Sequence, residues 1–154
     1  MARLEPGMRA PAFTLLNQSG EKVALKDLAG ERFVMYCYPA DDTPGCTKEA
    51  CQFNDQLSSF ERLKVRVLGI SPDAVDKHVA FRSKFSLAFD LLSDPDKKVM
   101  TKYGAFGEKM MYGKKVMGVI RSTFVIGPTG IIEHAWYGMH ADGHAAKVLA
   151  RIEA

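Results

Sequence analysis

Cys46 has the strongest claim to reactivity among the 154 residues. It stands in Pro39-Ala-Asp-Asp-Thr43-Pro44-Gly45-Cys46, which follows an apolar run and opens a helical pattern. Thr43 suits an N-cap and Pro44 the first helical position, so Cys46 falls at the third. Backbone N–H groups in a first turn lack helical partners, and the helix dipole places partial positive charge there. Both favour a thiolate, which is the nucleophilic form of cysteine. Cys46 also extends an apolar stripe through Ala50, Phe53, Leu57 and Phe60. A cysteine on such a stripe in mid-helix is ordinarily core filler. In a first turn after Thr-Pro-Gly it lies at the mouth of the fold, which favours reactivity.

Cys51 lies five residues on. In an ideal helix that is a rotation of about 140° and a rise of about 7.5 Å, which separates the two Cα atoms by roughly 8.6 Å. A disulfide does not reach that far, so bonding the two sulfurs would require the first turns to unwind. On spacing alone the two cysteines are equally well unrelated. Cys51 shares a polar face with Asp55 and Ser58. Cys37 sits within Phe33-Val-Met-Tyr-Cys-Tyr38 and reads as inert core. Arg121, at the entrance to Ser122-Thr-Phe-Val-Ile126, brings a permanent charge and a rigid fork of donors. Against Cys46 it would stabilise a thiolate and hold an oxygen atom, whereas composition alone makes it a surface arginine. Cys-x-x-x-x-Cys is not a zinc spacing, and no histidine cluster completes a metal site. His78, His134, His140 and His144 are scattered and acquire no role.

Alternating strands and helices must position these residues. Phe13–Leu16 and Lys22–Leu25, joined by Asn17-Gln-Ser-Gly20, read as an N-terminal β-hairpin. Phe33–Tyr38, Val65–Ile70 and Phe89–Leu92 read as buried strands. Thr123–Ile126 and Ile131–Tyr137 flank Gly127-Pro-Thr-Gly130 as an antiparallel hairpin. Helices are expected over Pro44–Leu63, over Ala74–Phe85 behind a Ser71-Pro72-Asp73 cap, over Asp96–Tyr103, and from about Asp142 to Ile152. The fold class is therefore α/β, a mixed central sheet flanked by helices, in one domain spanning 1–154.

Composition narrows the function classes. Hydrophobic residues make 47% and charged residues 25%, the usage of a globular chain rather than a disordered one. The longest aromatic-aliphatic run is far short of a bilayer span, so no membrane partner is expected. Met1-Ala-Arg-Leu-Glu-Pro-Gly7 does not read as a secretory signal, and an odd count of three cysteines does not suit a secreted disulfide scaffold, so a reducing cytoplasm is the expected compartment. The net charge of +3 is too small to imply a polyanion such as nucleic acid. Residues 97–121 nevertheless carry seven basic residues against Glu108, a net +6 that leaves −3 elsewhere, and this Met-rich stretch reads as a solvated surface loop.

The segment Tyr38–Cys51 resembles the active-site signature of the peroxiredoxins, most closely the Q-type branch, also called bacterioferritin comigratory protein. Gly7–Phe13, Leu68–Asp73, Leu91–Asp94, Lys102–Gly104, Tyr112–Lys115 and Arg121–Ile126 carry the likeness through most of the chain. The resemblance implies a thioredoxin-like fold and reduction of hydrogen peroxide and organic hydroperoxides. It also implies recycling by thioredoxin or a similar dithiol, with no cofactor (no metal, haem or flavin); a monomer is expected. Carried over by position, Cys46 is the peroxidatic cysteine and Cys51 the resolving one, the two closing an intramolecular disulfide. Thr43 and Arg121 polarise and position the peroxide, Pro39 shields the sulfur, and Glu49 matches a commonly acidic position. Cys37 and Ala40 depart from the residues common at their positions. Two other readings remain to be separated by experiment. A general thiol–disulfide oxidoreductase of this fold would generally use Cys-x-x-Cys, which is absent. A non-enzymatic redox sensor or holdase would change shape without turnover.

Overall fold

The computed structural model describes residues 3–154. Met1 and Ala2, the start of the segment compared with a secretory signal, lie outside the described residues. Strands β1 (Thr14–Leu16) and β2 (Lys22–Ala24) form the expected N-terminal hairpin. A 3-10 turn at Leu25–Leu28 leads to β3 (Arg32–Cys37), and then come α1 (Pro44–Asp55), α2 (Leu57–Arg62), β4 (Val65–Ser71), α3 (Val75–Lys84) and β5 (Asp90–Ser93). The chain continues through α4 (Lys98–Lys102), β6 (Phe106–Met111), β7 (Lys114–Val119), β8 (Ser122–Ile126), β9 (Ile132–Tyr137) and α5 (His144–Glu153).

Seven strands make one mixed sheet in the order β2-β1-β5-β4-β3-β8-β9. β3 lies at its heart, parallel to β4 and antiparallel to β8. Both faces of β3 are covered, which is why Phe33–Tyr38 is apolar at every position. Phe33, Met35 and Cys37 point into one core with Tyr103, Phe124 and Met100. Val34, Tyr36 and Tyr38 point into the other, with Cys46, Phe53, Phe60, Phe81 and Val148. That second core is roofed by α1, α2, α3 and α5, whereas the first is closed by α4, the 3-10 turn and the N-terminal segment. No helix among the described residues is long and apolar enough to cross a membrane.

Three expectations are corrected. The helix over Pro44–Leu63 is broken at Gln56, which takes φ −94° and ψ 2° and divides it into α1 and α2. The Asn54 amide is drawn aside there, donating to Ser86 O at 3.2 Å and accepting from the Ala88 N–H at 2.8 Å. Pro72 lies outside α3, whose N-cap is Ala74. The Asp73 carboxylate does not cap that helix; it accepts the Asp41 N–H and the Ser71 hydroxyl, both at 2.7 Å. The basic stretch 97–121 is not a loop: it forms α4 and a two-stranded antiparallel hairpin of β6 and β7. Tyr112 and Gly113 turn that hairpin with φ of 53° and 78°, the mirror-image turn that suits twisted strands.

Candidate active site

The sheet topology brings Cys46 and Arg121 together from 75 residues apart. β3 delivers the chain to Tyr38, the Pro39–Thr43 loop reverses it, and α1 starts at Pro44 with Cys46 as its third residue. β8 runs antiparallel beside β3 with Ser122 opposite Cys37, so Arg121 stands next to the same end of the sheet. Its backbone is pinned, since Gly138 N–H donates to Arg121 O at 2.8 Å and Ile120 N–H to Ala105 O at 2.7 Å.

Cys46 is 1% exposed, and Arg121 Nη2 lies 3.4 Å from its sulfur. The guanidinium passes so close to the helix start that a Cβ on Gly45 would sit 3.4 Å from Nη2. The first-turn N–H groups lack intrahelical partners by geometry. Negative charge on the Cys46 sulfur is therefore met by a cation and by the positive end of α1. Nη1 of Arg121 pairs with Glu49 Oε1. Glu49 is wholly buried, and burial pushes its carboxyl up to about 7 against the opposing pull of Arg121. Glu49 Oε2 and the Tyr36 hydroxyl are the buried side-chain polar atoms without a hydrogen-bond partner among the described residues. Beneath the helix Tyr36 stacks on Phe53 at 4.7 Å, and His144 meets Phe53 edge-on. Burial, together with the Lys147 and Arg121 cations, lowers His144 to about 4, so it packs here as a neutral ring.

Thr43 occupies the N-cap position with extended backbone and accepts the first intrahelical bond from Thr47 at 2.8 Å. Its side chain does not cap the helix; the hydroxyl donates to Ala40 O at 3.1 Å. Pro39 lies half-buried at the start of the same loop. Cys51 is partly buried on the continuous α1, and no disulfide is formed by Cys37, Cys46 or Cys51. Burial, and then the neighbouring Asp55 carboxylate, pushes the Cys51 thiol up. Cys37 is fully buried on the opposite face of β3 from Cys46, and burial pushes its thiol well up. The structure thus gathers Cys46, Arg121, Thr43 and Pro39 at one end of the sheet and keeps Cys51 on the far side of an intact helix. Gln52, beside Cys51, clamps α1 to the start of α5: its amide donates to Asp142 Oδ1 and accepts from the Gly143 N–H, both at 2.8 Å.

Residues 6–135 match the model of the AhpC/TSA family. A Mycobacterium tuberculosis protein named as a peroxiredoxin is 53% identical over 146 residues, covering 95% of this chain and 93% of its own. The peroxiredoxin Bcp of Bacillus subtilis is 39% identical over 150 residues, covering 97% of this chain and 96% of its own. The chain belongs to the AhpC/TSA peroxiredoxins, in their Bcp/PrxQ branch. A solved structure of the Xanthomonas campestris bacterioferritin comigratory protein superposes with a TM-score of 0.88 at 37% identity, over 99% of this chain and 96% of that one. The mixed sheet with flanking helices is accordingly the thioredoxin fold of this family. As a peroxiredoxin the protein is a thiol peroxidase, an enzyme acting on peroxides.

Composition alone makes Arg121 a surface arginine; in the fold it is largely covered and faces the sulfur. The sequence by itself assigns Glu49 no firm role and His78 none. Both carried a usable signal. Glu49 is three residues from Cys46 and so shares the stripe that runs into the core. His78 stands three residues before Phe81 on the buried face of α3.

Proposed function

We propose that Cys46 is the peroxidatic cysteine of this peroxidase and Cys51 its resolving cysteine. The observation that carries this reading is the Arg121 guanidinium 3.4 Å from a sulfur held in the first turn of a helix. The Cys46 thiolate attacks the terminal oxygen of a hydroperoxide. The S–O bond forms as the O–O bond breaks, sulfur is oxidised to sulfenic acid, and water or alcohol leaves after taking a proton. Arg121 and the first-turn N–H groups stabilise the oxygen on which charge develops, the Thr43 hydroxyl adds a donor once it turns away from Ala40 O, and Pro39 shields the sulfur from bulk water. The first turns of α1 then unwind and Cys51 attacks the sulfenic sulfur, forming the disulfide and releasing water. A dithiol restores both thiols by two exchange steps.

The substrates are hydrogen peroxide and organic hydroperoxides; the Xanthomonas campestris relative, studied for alkyl peroxide reduction, supports the organic class. The reductant is thioredoxin or a similar dithiol protein. The working unit is a monomer whose single domain spans 1–154, in the cytoplasm. The test is a stopped-flow peroxide assay with a peptide map of the oxidised protein. Cys46→Ser abolishes turnover with thioredoxin. Cys51→Ser keeps the first oxidation, stalls recycling and accumulates an unbridged sulfenate. Peroxide consumption by Cys46→Ser at the wild-type rate would refute the assignment.

A further inference from the structure

We infer that Asp41 and His78 are positioning residues for the peroxide reaction: a buried carboxylate–imidazole pair that holds the Pro39–Thr43 loop in its reactive geometry while α1 opens and closes beside it. The inference rests on Cys46 being the peroxide-reactive sulfur.

His78 is completely buried on α3. Its Nε2 lies 2.9 Å from Leu92 O, and its Nδ1 lies 2.6 Å from Asp41 Oδ2. A carbonyl only accepts, so Nε2 carries a hydrogen. Nδ1 and Oδ2 then have one proton between them, whichever of the two formally holds it. The other carboxylate oxygen of Asp41 accepts the Tyr38 hydroxyl at 2.6 Å. One loop side chain is thereby tied to the end of β3, to α3 and, through the imidazole, to β5. The loop backbone has its own tie, the Asp41 N–H to Asp73 Oδ2 at 2.7 Å. Asp73 is fixed in turn by the Ser71 hydroxyl on its carboxylate and by the Ser93 hydroxyl on its carbonyl. Asp42 has φ of 58°, a left-handed conformation that persists where the surroundings over-determine it.

The loop needs anchorage independent of the helix it precedes. A Cys46–Cys51 bond requires α1 to give up Arg121, Glu49 and the Gln52 clamp. Pro44 follows Thr43 directly, so an untied loop would leave with the helix, and Thr43 and Pro39 would have to be repositioned in every cycle. With Asp41 held by β3, α3 and β5, unwinding starts after Thr43, and the returning sulfur finds the loop already in place.

The variants are chosen to separate positioning from stability. Asp41→Ala and His78→Leu remove the tie. Asp41→Asn keeps it, since the amide oxygen accepts from Tyr38, the amide nitrogen donates to Nδ1, and Nε2–H still reaches Leu92 O. Each is placed in the Cys51→Ser background, where quenched-flow mass spectrometry reads Cys46 sulfenate formation alone, below the unfolding transition established by circular dichroism. The expected result is a loss of about 10-fold or more in the oxidation rate for Asp41→Ala and His78→Leu, with Asp41→Asn restored to near the wild-type rate. Should the first two not fold, Tyr38→Phe deletes one oxygen of the network without emptying its site, and the same direction of change is expected. Wild-type oxidation in folded Asp41→Ala, or in Tyr38→Phe where alanine does not fold, would overturn the inference and leave the Cys46 assignment standing. So would an Asp41→Asn rate as low as that of Asp41→Ala. Failure of the underlying assignment is separately visible, as peroxide consumption that survives Cys46→Ser.

Discussion

Glu49→Gln in a Cys46→Ser background isolates what the buried carboxylate does to the fold, with the neighbouring thiol removed. Burial holds the Glu49 carboxyl at about 7 in the folded protein, against an ordinary value of 4.5. Each tenfold change in proton affinity is worth about 1.4 kcal/mol, so ionised Glu49 costs the folded state about 3 kcal/mol even with Arg121 alongside. The sign follows from linkage. Below pH 4.5 the carboxyl is protonated in both folded and unfolded chains and costs nothing. As pH rises through 4.5 to 7 the unfolded chain releases the proton first, so stability is lost across that window and stays lost above it. Glutamine mimics the protonated form. The variant should match its parent at pH 4.5 and exceed it by about 2 kcal/mol at pH 6 and about 3 kcal/mol at pH 8. The last figure corresponds to roughly 6–12 °C in Tm for a chain of this size. Urea denaturation of both proteins at the three pH values gives the difference directly, and other titrating groups such as Asp94 cancel in it. A difference that does not change with pH would show that the Arg121 pairing cancels burial, and a glutamine variant less stable than its parent at pH 8 that the pairing outweighs it; either result would show the reasoning wrong. With Cys46 intact, the same substitution should slow peroxide consumption, because Glu49 holds Nη1 while Nη2 faces the sulfur.

Tyr36→Phe removes a buried hydroxyl that has no partner while keeping the stack on Phe53; the expected gain is about 1 kcal/mol in urea unfolding, and a loss of that size would show that the hydroxyl is bonded. Gly45→Ala should raise Tm, because alanine favours a helix, yet slow peroxide oxidation several-fold, because its Cβ crowds Arg121 Nη2. Stopped-flow rates equal to the parent protein would show that the guanidinium can yield without cost.

Much of this architecture is legible in the sequence because its buried strands are apolar on both faces and their neighbours are punctuated by Gly, Pro and Asn. Phe33–Tyr38 could be read as central because nothing polar interrupts it. The first-turn location of Cys46 followed from Thr-Pro-Gly, whose conformational preferences are local. The features that escaped are those decided by partners distant in sequence. Gln56 breaks a helix whose apolar stripe runs straight through it, and the Asn54 bonds to Ser86 and Ala88 act at the break. The β6–β7 hairpin has no one-sided apolar alternation, because it stands apart from the main sheet and leaves Met110, Met117 and Tyr112 exposed. Glu49 and His78 are polar residues on buried faces, and only the fold supplies the Arg121 cation and the Asp41 carboxylate that make those positions tolerable.

The interruption at Gln56 bounds how far the active helix can melt. A disorder that starts at Pro44 meets, one dozen residues later, a junction where Asn54 is fastened to the α3–β5 connection and where Phe60 of α2 remains seated in the core. The freed length therefore carries Cys46 and Cys51 together with Glu49, Ala50 and Phe53, which are buried against the sheet in the closed form. On the proposed mechanism each excursion would release enough chain for a crosslink of sulfur to sulfur while α2, α3 and α5 stay seated over the rest of that core, so the opening is bounded to the strip of sheet beneath α1.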